Sequence, residues 1–466
     1  MAGLGTAGHP LRVAIVGAGP TGFYAADHLL KDPARVVEID LFDRLPTPFG
    51  LVRGGVAPDH QKIKAVTASF DKVAAHPRFR FYGNVELGKH VSVDDLRRYY
   101  HQIIYCTGAQ TDRRMGIPGE DLRGSHPATE FVAWYNGHPD YRDYQFDLSV
   151  ERAAVVGVGN VAIDVARILC RTPDELAQTD IAEHALDALR KSRIREVYLL
   201  GRRGPAQAAF TNPEIKEVGE LADADVTVPA AEAEIDALSR AELERTQDRG
   251  TMKKVDIIKS YADRPRTGKS RLLTLRFLVS PVELIGDAGG RVAAMKLVRN
   301  RLAATPTGSL QAKPTGEQET LAVGLVFRSV GYRGVPLPGV PFNDAWGVIL
   351  NQKGRVLDPA TKEPITGEYT AGWIKRGPSG VIGTNKPDAA ETVVCMLEDL
   401  ATEHTLHPPE PSAAAADRML RERQPQCVGY AEWLKLNQLE LERGRSAGRP
   451  RVKFTSVDEM LTRIAP

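Results

Sequence analysis

The sequence predicts an α/β protein built from two Rossmann-like dinucleotide-binding domains, the first discontinuous and the second inserted in it. Three observations predict this. A short pattern occurs twice, as LRVAIVGAGPTGFYAA at residues 11–26 and RAAVVGVGNVAIDVAR at 152–167. In each copy an apolar run meets a glycine-rich turn, which opens a segment of helical apolar spacing. Continuous apolar runs such as 13–16 and 153–156 suit parallel strands covered on both faces, where alternation is not required. Finally, two later runs, 103–108 and 325–331, each read as a strand ending in glycine and mark crossings between domains. The predicted boundaries are 1–108 with 331–466 for the first domain and 109–330 for the second.

Composition limits the alternatives. The chain has 466 residues, of which 42% are apolar, enough for real cores. Lys plus Arg is 61 and Asp plus Glu is 59, so no global charge draws the chain to nucleic acid or an acidic membrane. The four cysteines, Cys106, Cys170, Cys395 and Cys427, are far apart. That spacing excludes a disulfide scaffold, a structural zinc site and a redox dithiol; no metal site is expected. No apolar stretch reaches membrane-spanning length, and MAGLGTAGHP does not resemble a targeting peptide, so a cytoplasmic protein is expected.

The first turn, residues 17–22, reads Gly-x-Gly-x-x-Gly. Gly17 permits the tight turn, Gly19 lets backbone N–H groups approach a diphosphate, and Gly22 lets the helix pack on the strand. Anions are favoured at that helix N-terminus. The run 36–42 reads as the next strand, and Asp43 follows Gly22 by 21 residues. A carboxylate there accepts hydrogen bonds from a ribose diol with a free 2′-hydroxyl, which fits FAD.

The second turn, residues 157–162, reads Gly-x-Gly-x-x-Ala, with Gly157 and Gly159 in the glycine places. The strand after it, 196–200, ends in Gly201-Arg202-Arg203-Gly204 rather than in an acid. Two guanidinium groups suit a 2′-phosphate, which a carboxylate would repel, so this turn fits NADP(H). Arg202 lies 40 residues beyond Ala162, so residues 170–192 must form an insertion. The opposite charges behind the two turns imply two different dinucleotides. Elsewhere, residues 229–250 read as an exposed charged helix serving solubility. Residues 407–411 with 413–416 read as a surface linker, and the basic stretch from Arg443 to Lys453 as a solvated tail.

Several longer blocks match a known family. They are 48–53 (PFGLVR), 55–60 (GVAPDH), 81–85 (FYGNV), 131–136 (FVAWYN), 201–205 (GRRGP) and 372–384 (GWIKRGPSGVIGT). On these blocks the chain resembles the adrenodoxin-reductase type of ferredoxin–NADP⁺ reductase, including its actinobacterial members, over nearly its whole length. The resemblance implies FAD contacts at Thr21, Asp43, Leu51, Val85, Trp373, Gly380, Val381 and Ile382. It implies NADP contacts at Val158, Gly159, Asn160, Val161, Arg202, Arg203 and Glu214, with a share of Gly380. Trp373 reads by itself as core or as a flavin neighbour; the glycine-rich block favours the second. Thr384, Asn385 and Pro387 read as a helix entry, followed by helical spacing at Ala389, Ala390, Val393, Val394, Leu397 and Leu400. The positive end of that helix would face the flavin pyrimidine.

His60, Asp164 and Glu217 are the candidates for catalytic support, with Asp59 added by resemblance. Asp164 also reads as a helix-dipole partner in the first turn of its helix. Gln61 replaces a proline common in the family, and Asn212-Pro213 before Glu214 departs from it in a way that would bend that loop. The implied function is an FAD-dependent NADPH:ferredoxin oxidoreductase: hydride passes from NADPH to the flavin N5, then single electrons pass to an acidic iron–sulfur ferredoxin that can feed cytochrome monooxygenases. Lys375 and Arg376 join the arginine pair as candidates for docking that carrier. The alternatives are a carrier-independent NADPH-dependent flavin oxidoreductase or monooxygenase, an amidotransferase subunit with the same two turns, and a non-catalytic FAD-binding sensor. A flavin disulfide reductase is excluded by the cysteine spacing.

Overall fold

The structure, a computed structural model, describes residues 3–465. The chain forms two compact units: one takes Met1–Val56, His60–Thr111 and Tyr332–Pro466, the other Ala57–Asp59 and Asp112–Gly331. The first unit is organised on a seven-stranded sheet. Its order is Asn351–Gln352, Arg355–Leu357, Pro364–Thr370, Gln102–Tyr105, Leu11–Val16, Val37–Phe42 and Phe79–Tyr82. The last five are parallel, and the first two join antiparallel at the edge. Leu11–Val16 sits inside this sheet and is buried at every residue, which is why Val13–Val16 is continuously apolar; the buried Arg12 is paired with Asp40 at 2.7 Å. Pro20–Leu30 and Asn385–Ala401 pack on one another over the sheet, through Ala25, Ala26 and Leu29 on one side and Ala389, Val393 and Met396 on the other.

The second unit holds a six-stranded parallel sheet in the order Ser125–Pro127, Leu325–Arg328, Arg152–Val156, Glu196–Gly201, Arg271–Phe277, Ala224–Thr227. A three-stranded antiparallel sheet of Val279–Gly286, Val292–Ala304 and Leu310–Ala322 adjoins it in sequence. The helices Pro173–Leu176 and Glu183–Arg190 occupy the insertion expected at 170–192.

Three expected surface features are instead parts of the packed structure. Residues 229–250 are not one helix: Ala230–Ala233, Ala237–Thr246 and Arg249–Ala262 are separate, the last two started by the side-chain caps Asp236 and Asp248. Glu232 in that stretch is buried and accepts from Arg276 Nε at 2.9 Å and from Phe277 N at 2.8 Å, so its role is not solubility. The alanine half of the expected linker is the helix Ala413–Arg423, capped by Ser412. The expected basic tail begins inside the helix Tyr430–Ser446, and its Arg449 and Lys453 are buried.

One buried imidazole links stability of the first unit to pH. Arg12 N donates to His101 Nδ1 at 3.0 Å, and burial, reinforced by His9 and Arg12, lowers the His101 pKa to about 4. A histidine that charges more easily unfolded, near its ordinary ~6.5, gives stability that is intact above that pH and lost as pH falls toward the folded value. The full loss is about 3 kcal/mol, since each pKa unit is worth ~1.4 kcal/mol. His101→Asn keeps an acceptor for Arg12 and removes the titration. Denaturant melts between about pH 7 and 4 should therefore show a shallower acid loss in the variant; an unchanged slope would exclude His101 as its source.

Candidate dinucleotide sites

The first glycine turn follows the central strand of the first sheet. Gly17 sits at φ 112°, and a Cβ there would lie 2.5 Å from Cys106 O, so no other residue fits. A Cβ on Gly22 would collide with Gly17 O, whereas one on Gly19 meets no protein atom within 4 Å. The turn is therefore closed toward the protein and open at Gly19, the N-cap of Pro20–Leu30, where a diphosphate would meet helix N–H groups. Asp43 Oδ2 accepts from Ala18 N at 2.9 Å and Oδ1 from Leu45 N at 2.9 Å. Its carboxylate thus also braces the turn, and each oxygen keeps a lone pair for a ribose hydroxyl. Burial raises its pKa, opposed by those two backbone N–H groups. Val85 is buried and donates its N–H to Asp43 O at 2.9 Å; Leu51 opens the short helix Leu51–Gly54 and is exposed. These residues fit an adenine dinucleotide with a free ribose diol.

The loop 372–384 comes to the same unit from the far end of the chain. A Cβ on Gly372, at φ 78°, would collide with Thr21, so the loop lies against the first turn of Pro20–Leu30. Trp373 Nε1 donates to Ser379 O at 3.1 Å, and its ring lies 5.6 Å from that of Tyr332. Gly380 is at φ 79° and packs on Thr384; Val381 is half exposed, and Ile382 packs on the core. The helix Asn385–Ala401 starts directly after this loop. Lys375 is not a docking cation: it is buried, with Nζ 2.5 Å from Glu391 Oε2 and 3.3 Å from Asp388 Oδ1. Arg376 bonds to Ser379 O at 2.7 Å and Asn385 Oδ1 at 2.9 Å. Asp388 also accepts from Gly372 N. Both cations hold the loop to its helix, a role that sequence reasoning missed.

The second turn repeats the first. Gly157 is at φ 132° and pressed on Ser329 O, while a Cβ on Gly159 meets nothing within 4 Å. Gly159 caps Asn160–Cys170. Val158 O accepts from Ala209 N at 2.8 Å and Phe210 N at 3.0 Å, Asn160 Oδ1 accepts from Thr211 N at 2.9 Å, and Val161 packs on the core. A Cβ on Gly201 would lie 2.9 Å from the Val158 side chain, so the fold brings the arginine pair beside the turn despite the long spacing. Asn300 Nδ2 donates to Arg202 O at 2.9 Å and Leu278 N to Arg203 O at 3.1 Å, which fixes the loop. Among the described residues no carboxylate lies within ion-pair distance of either guanidinium. Burial, then the like charge of Arg202, lowers the Arg203 pKa. Glu242 offsets this in part, and two adjacent cations without an ion-paired carboxylate suit a dianionic phosphate.

A buried cation organises the remaining candidates of the second unit. Arg167 is fully buried; Nε donates to Asp59 at 2.8 Å, Nη2 to Asp164 at 2.7 Å and Nη1 to Glu214 at 3.1 Å, with Glu217 3.8 Å away. Burial alone would lower its pKa, but Asp164, Asp59 and Glu214 outweigh that and raise it. Asp164 lies beyond the first turn of Asn160–Cys170 and pairs at i, i+3, so it is not a dipole partner of the N-terminus. Pro213 lies in the first turn of Asn212–Val218, where proline is tolerated, so the loop before Glu214 is not bent. His60 belongs to the first unit and caps the short helix Gln61–Lys64.

Residues 11–220 match the family model described as pyridine nucleotide-disulphide oxidoreductase. The chain is 46% identical to the NADPH-ferredoxin reductase FprA of Mycobacterium tuberculosis over 462 residues, covering 97% of this chain and 98% of the relative. It is 40% identical to the mitochondrial NADPH:adrenodoxin oxidoreductase of Arabidopsis thaliana, covering 98% and 96%. The chain belongs to the adrenodoxin-reductase type of ferredoxin–NADP⁺ reductases. A solved structure of M. tuberculosis FprA in complex with NADPH matches it with a TM-score of 0.92 at 45% identity, covering 98% of this chain and all of that one.

In this reductase the cysteines take no part in a dithiol. All four are free; Cys106, Cys170 and Cys395 are buried, and burial pushes the Cys170 and Cys427 thiols up to about 12. Thiols so high are protonated at neutral pH and are poor nucleophiles. Arg167 is the reductase residue that sequence reasoning passed over. Its signal was present: an arginine on the apolar helix 160–170, three residues after Asp164.

Proposed function

We propose that this chain is an NADPH:ferredoxin oxidoreductase in which the first unit binds FAD and the second binds NADP(H). The observation that carries this reading is the pair of open glycine turns with opposite charges behind them, Asp43 at one and Arg202 with Arg203 at the other. Residues 17–22, Leu51, Val85 and the loop through Trp373, Gly380, Val381 and Ile382 hold the flavin nucleotide. Residues 158–161 and the arginine pair hold the coenzyme, with Glu214 set in place by Arg167. FAD held by those residues would supply a hydride acceptor for NADPH and single-electron transfer to an iron–sulfur carrier. The chain's share is to orient the two dinucleotides; hydride transfer needs no protein nucleophile. His60, Asp164 and Glu217 support ligand position and proton movement. Among the described residues no helix is long and apolar enough to cross a membrane, and the free thiols fit a reducing compartment, for which we propose the cytoplasm.

The test is rapid-mixing reduction by NADPH followed by transfer to ferredoxins of the source organism. Flavin reduction followed by ferredoxin reduction is expected; NADPH-dependent substrate oxidation by oxygen without a carrier would favour the monooxygenase reading. A yellow protein inert toward NADPH and ferricyanide would favour the sensor. Because the expected carrier is acidic and Arg202 is exposed, raising salt from about 0.05 to 0.5 M should slow ferredoxin reduction severalfold while sparing an uncharged acceptor such as a quinone. A rate indifferent to salt would exclude electrostatic docking. His60→Ala should slow flavin reduction about tenfold through misplacement of ligand; unchanged hydride and electron transfer would remove His60 from the site.

A further inference from the structure

The basic segment near the C-terminus is folded into the first unit at one place. Phe49 and Gly50 follow one another at positive φ, 84° and 48°. A phenylalanine there is strained and persists only where its surroundings hold it. Phe49 N donates to Ala18 O at 2.7 Å, and a Cβ on Gly50 would lie 2.9 Å from Gly19 Cα. This strained turn is therefore laid directly on the first phosphate turn. The Phe49 ring packs 5.8 Å from Trp433, which lies in the helix Tyr430–Ser446.

The same helix holds the next residues of the turn. Arg53 Nη1 and Nη2 donate to the two carboxylate oxygens of Glu440 at 2.8 and 2.5 Å, and the guanidinium lies 5.3 Å over Trp433. Glu440 is fully buried. It also accepts from Arg451 Nη1 at 3.1 Å and Phe454 N at 2.9 Å, while Lys453 Nζ donates to Arg53 O at 3.4 Å. One carboxylate thus ties the turn after Gly50 to the segment 449–454, which is closely apposed to the helix at Gly444.

We propose that Glu440, with the segment 449–454, is a cofactor clasp: through Arg53 it holds residues 49–54 against the first phosphate turn and so retains the dinucleotide diphosphate. The inference rests on the reading that this turn binds FAD. Glu440 is a positioning residue, since it acts through Arg53. Linkage makes the effect reciprocal: bound FAD should hold the C-terminal segment in place.

The experiment follows FAD release from the full-length holoenzyme by recovery of free-flavin fluorescence. Glu440→Gln keeps hydrogen-bonding capacity and loses the charge; release should be at least about tenfold faster than in the parent. The control is Glu368→Gln, a buried carboxylate of the same unit that serves Arg97 and Tyr105. Equal release from Glu440→Gln and parent, or equal acceleration by Glu368→Gln at matched thermal stability, would overturn the clasp. Should Glu440→Gln not fold, tryptic cleavage after Arg451 and Lys453 of the unaltered chain decides. Cleavage should be at least about tenfold faster once FAD is stripped, and equal rates would overturn the clasp. Purified protein lacking flavin absorbance would overturn the FAD reading and the clasp together. A yellow protein whose release ignores Glu440 would overturn the clasp alone.

Discussion

Replacing Arg202 and Arg203 together by alanine should raise KM for NADPH about 100-fold and change KM for NADH by less than about threefold. Charge-assisted bonds to a phosphate contribute roughly 1.5–3 kcal/mol each, and the exposure of Arg202 places its share at the lower end. A combined loss near 3 kcal/mol is a factor of about 100. The selectivity follows from what the pair faces. Among the described residues neither guanidinium is ion-paired, Glu242 acting on Arg203 only beyond pairing distance, while the loop backbone is held independently, by Asn300 at Arg202 O and Leu278 at Arg203 O. Truncating the side chains should therefore leave the loop, and the turn at Gly157, in place. Steady-state kinetics with both coenzymes checks this. Equal rises for NADPH and NADH would mean that the arginines act on the shared diphosphate or on the fold, and would remove them as the source of coenzyme choice.

Arg167→Met should destabilise the second unit by about 3–5 kcal/mol, the usual consequence of removing one partner from a buried ion-paired group. For a unit of this size each kcal/mol lowers the midpoint by about 2–4 °C, so a fall of roughly 10 °C is expected. Methionine roughly fills the space, so packing is not the main loss. The cost is electrostatic: Asp164 and Glu214 lose the cation they share, while Asp59 keeps Arg171, whose Nε lies 2.7 Å from its Oδ2. Like charges that cannot be solvated repel less once protonated, so the deficit should shrink as the solution is acidified. Thermal melts of parent and variant at neutral and mildly acid pH measure both effects. Adding Asp164→Asn to Arg167→Met should recover part of the loss, because the two residues pair directly. A deficit independent of pH would assign the role of Arg167 to packing.

The two arginine predictions also mark what local order in the chain makes legible and what it does not. Arg202 and Arg203 were legible because they close a strand beside a glycine turn, and local order carries that information. The structure adds only that Gly201 abuts Val158, which disposes of the long spacing. Arg167 was not legible as a hub. Its partner Asp164 lies three residues away, but Asp59 and Glu214 come from 108 residues before and 47 after. Lys375 and Lys453 were misplaced for the same reason. Each reads as a surface cation in its own neighbourhood, and each is buried by partners that its local sequence does not name. Glu232 was read as one charge on a solvated helix; Arg276 and Phe277, more than forty residues on, bury it.

The sequence by itself determined the two glycine turns, the strands that lead into them, the acid behind one and the arginines behind the other. All of these depend on glycine sterics, apolar runs and charge within a few tens of residues, where chain order and spatial order coincide. Only the tertiary structure decided which charged residues are buried, and therefore which of them hold the sites together. The tie from Arg53 to Glu440 spans 387 residues. Whether such a pair is solvated or enclosed depends on how distant segments pack, and no local periodicity records that.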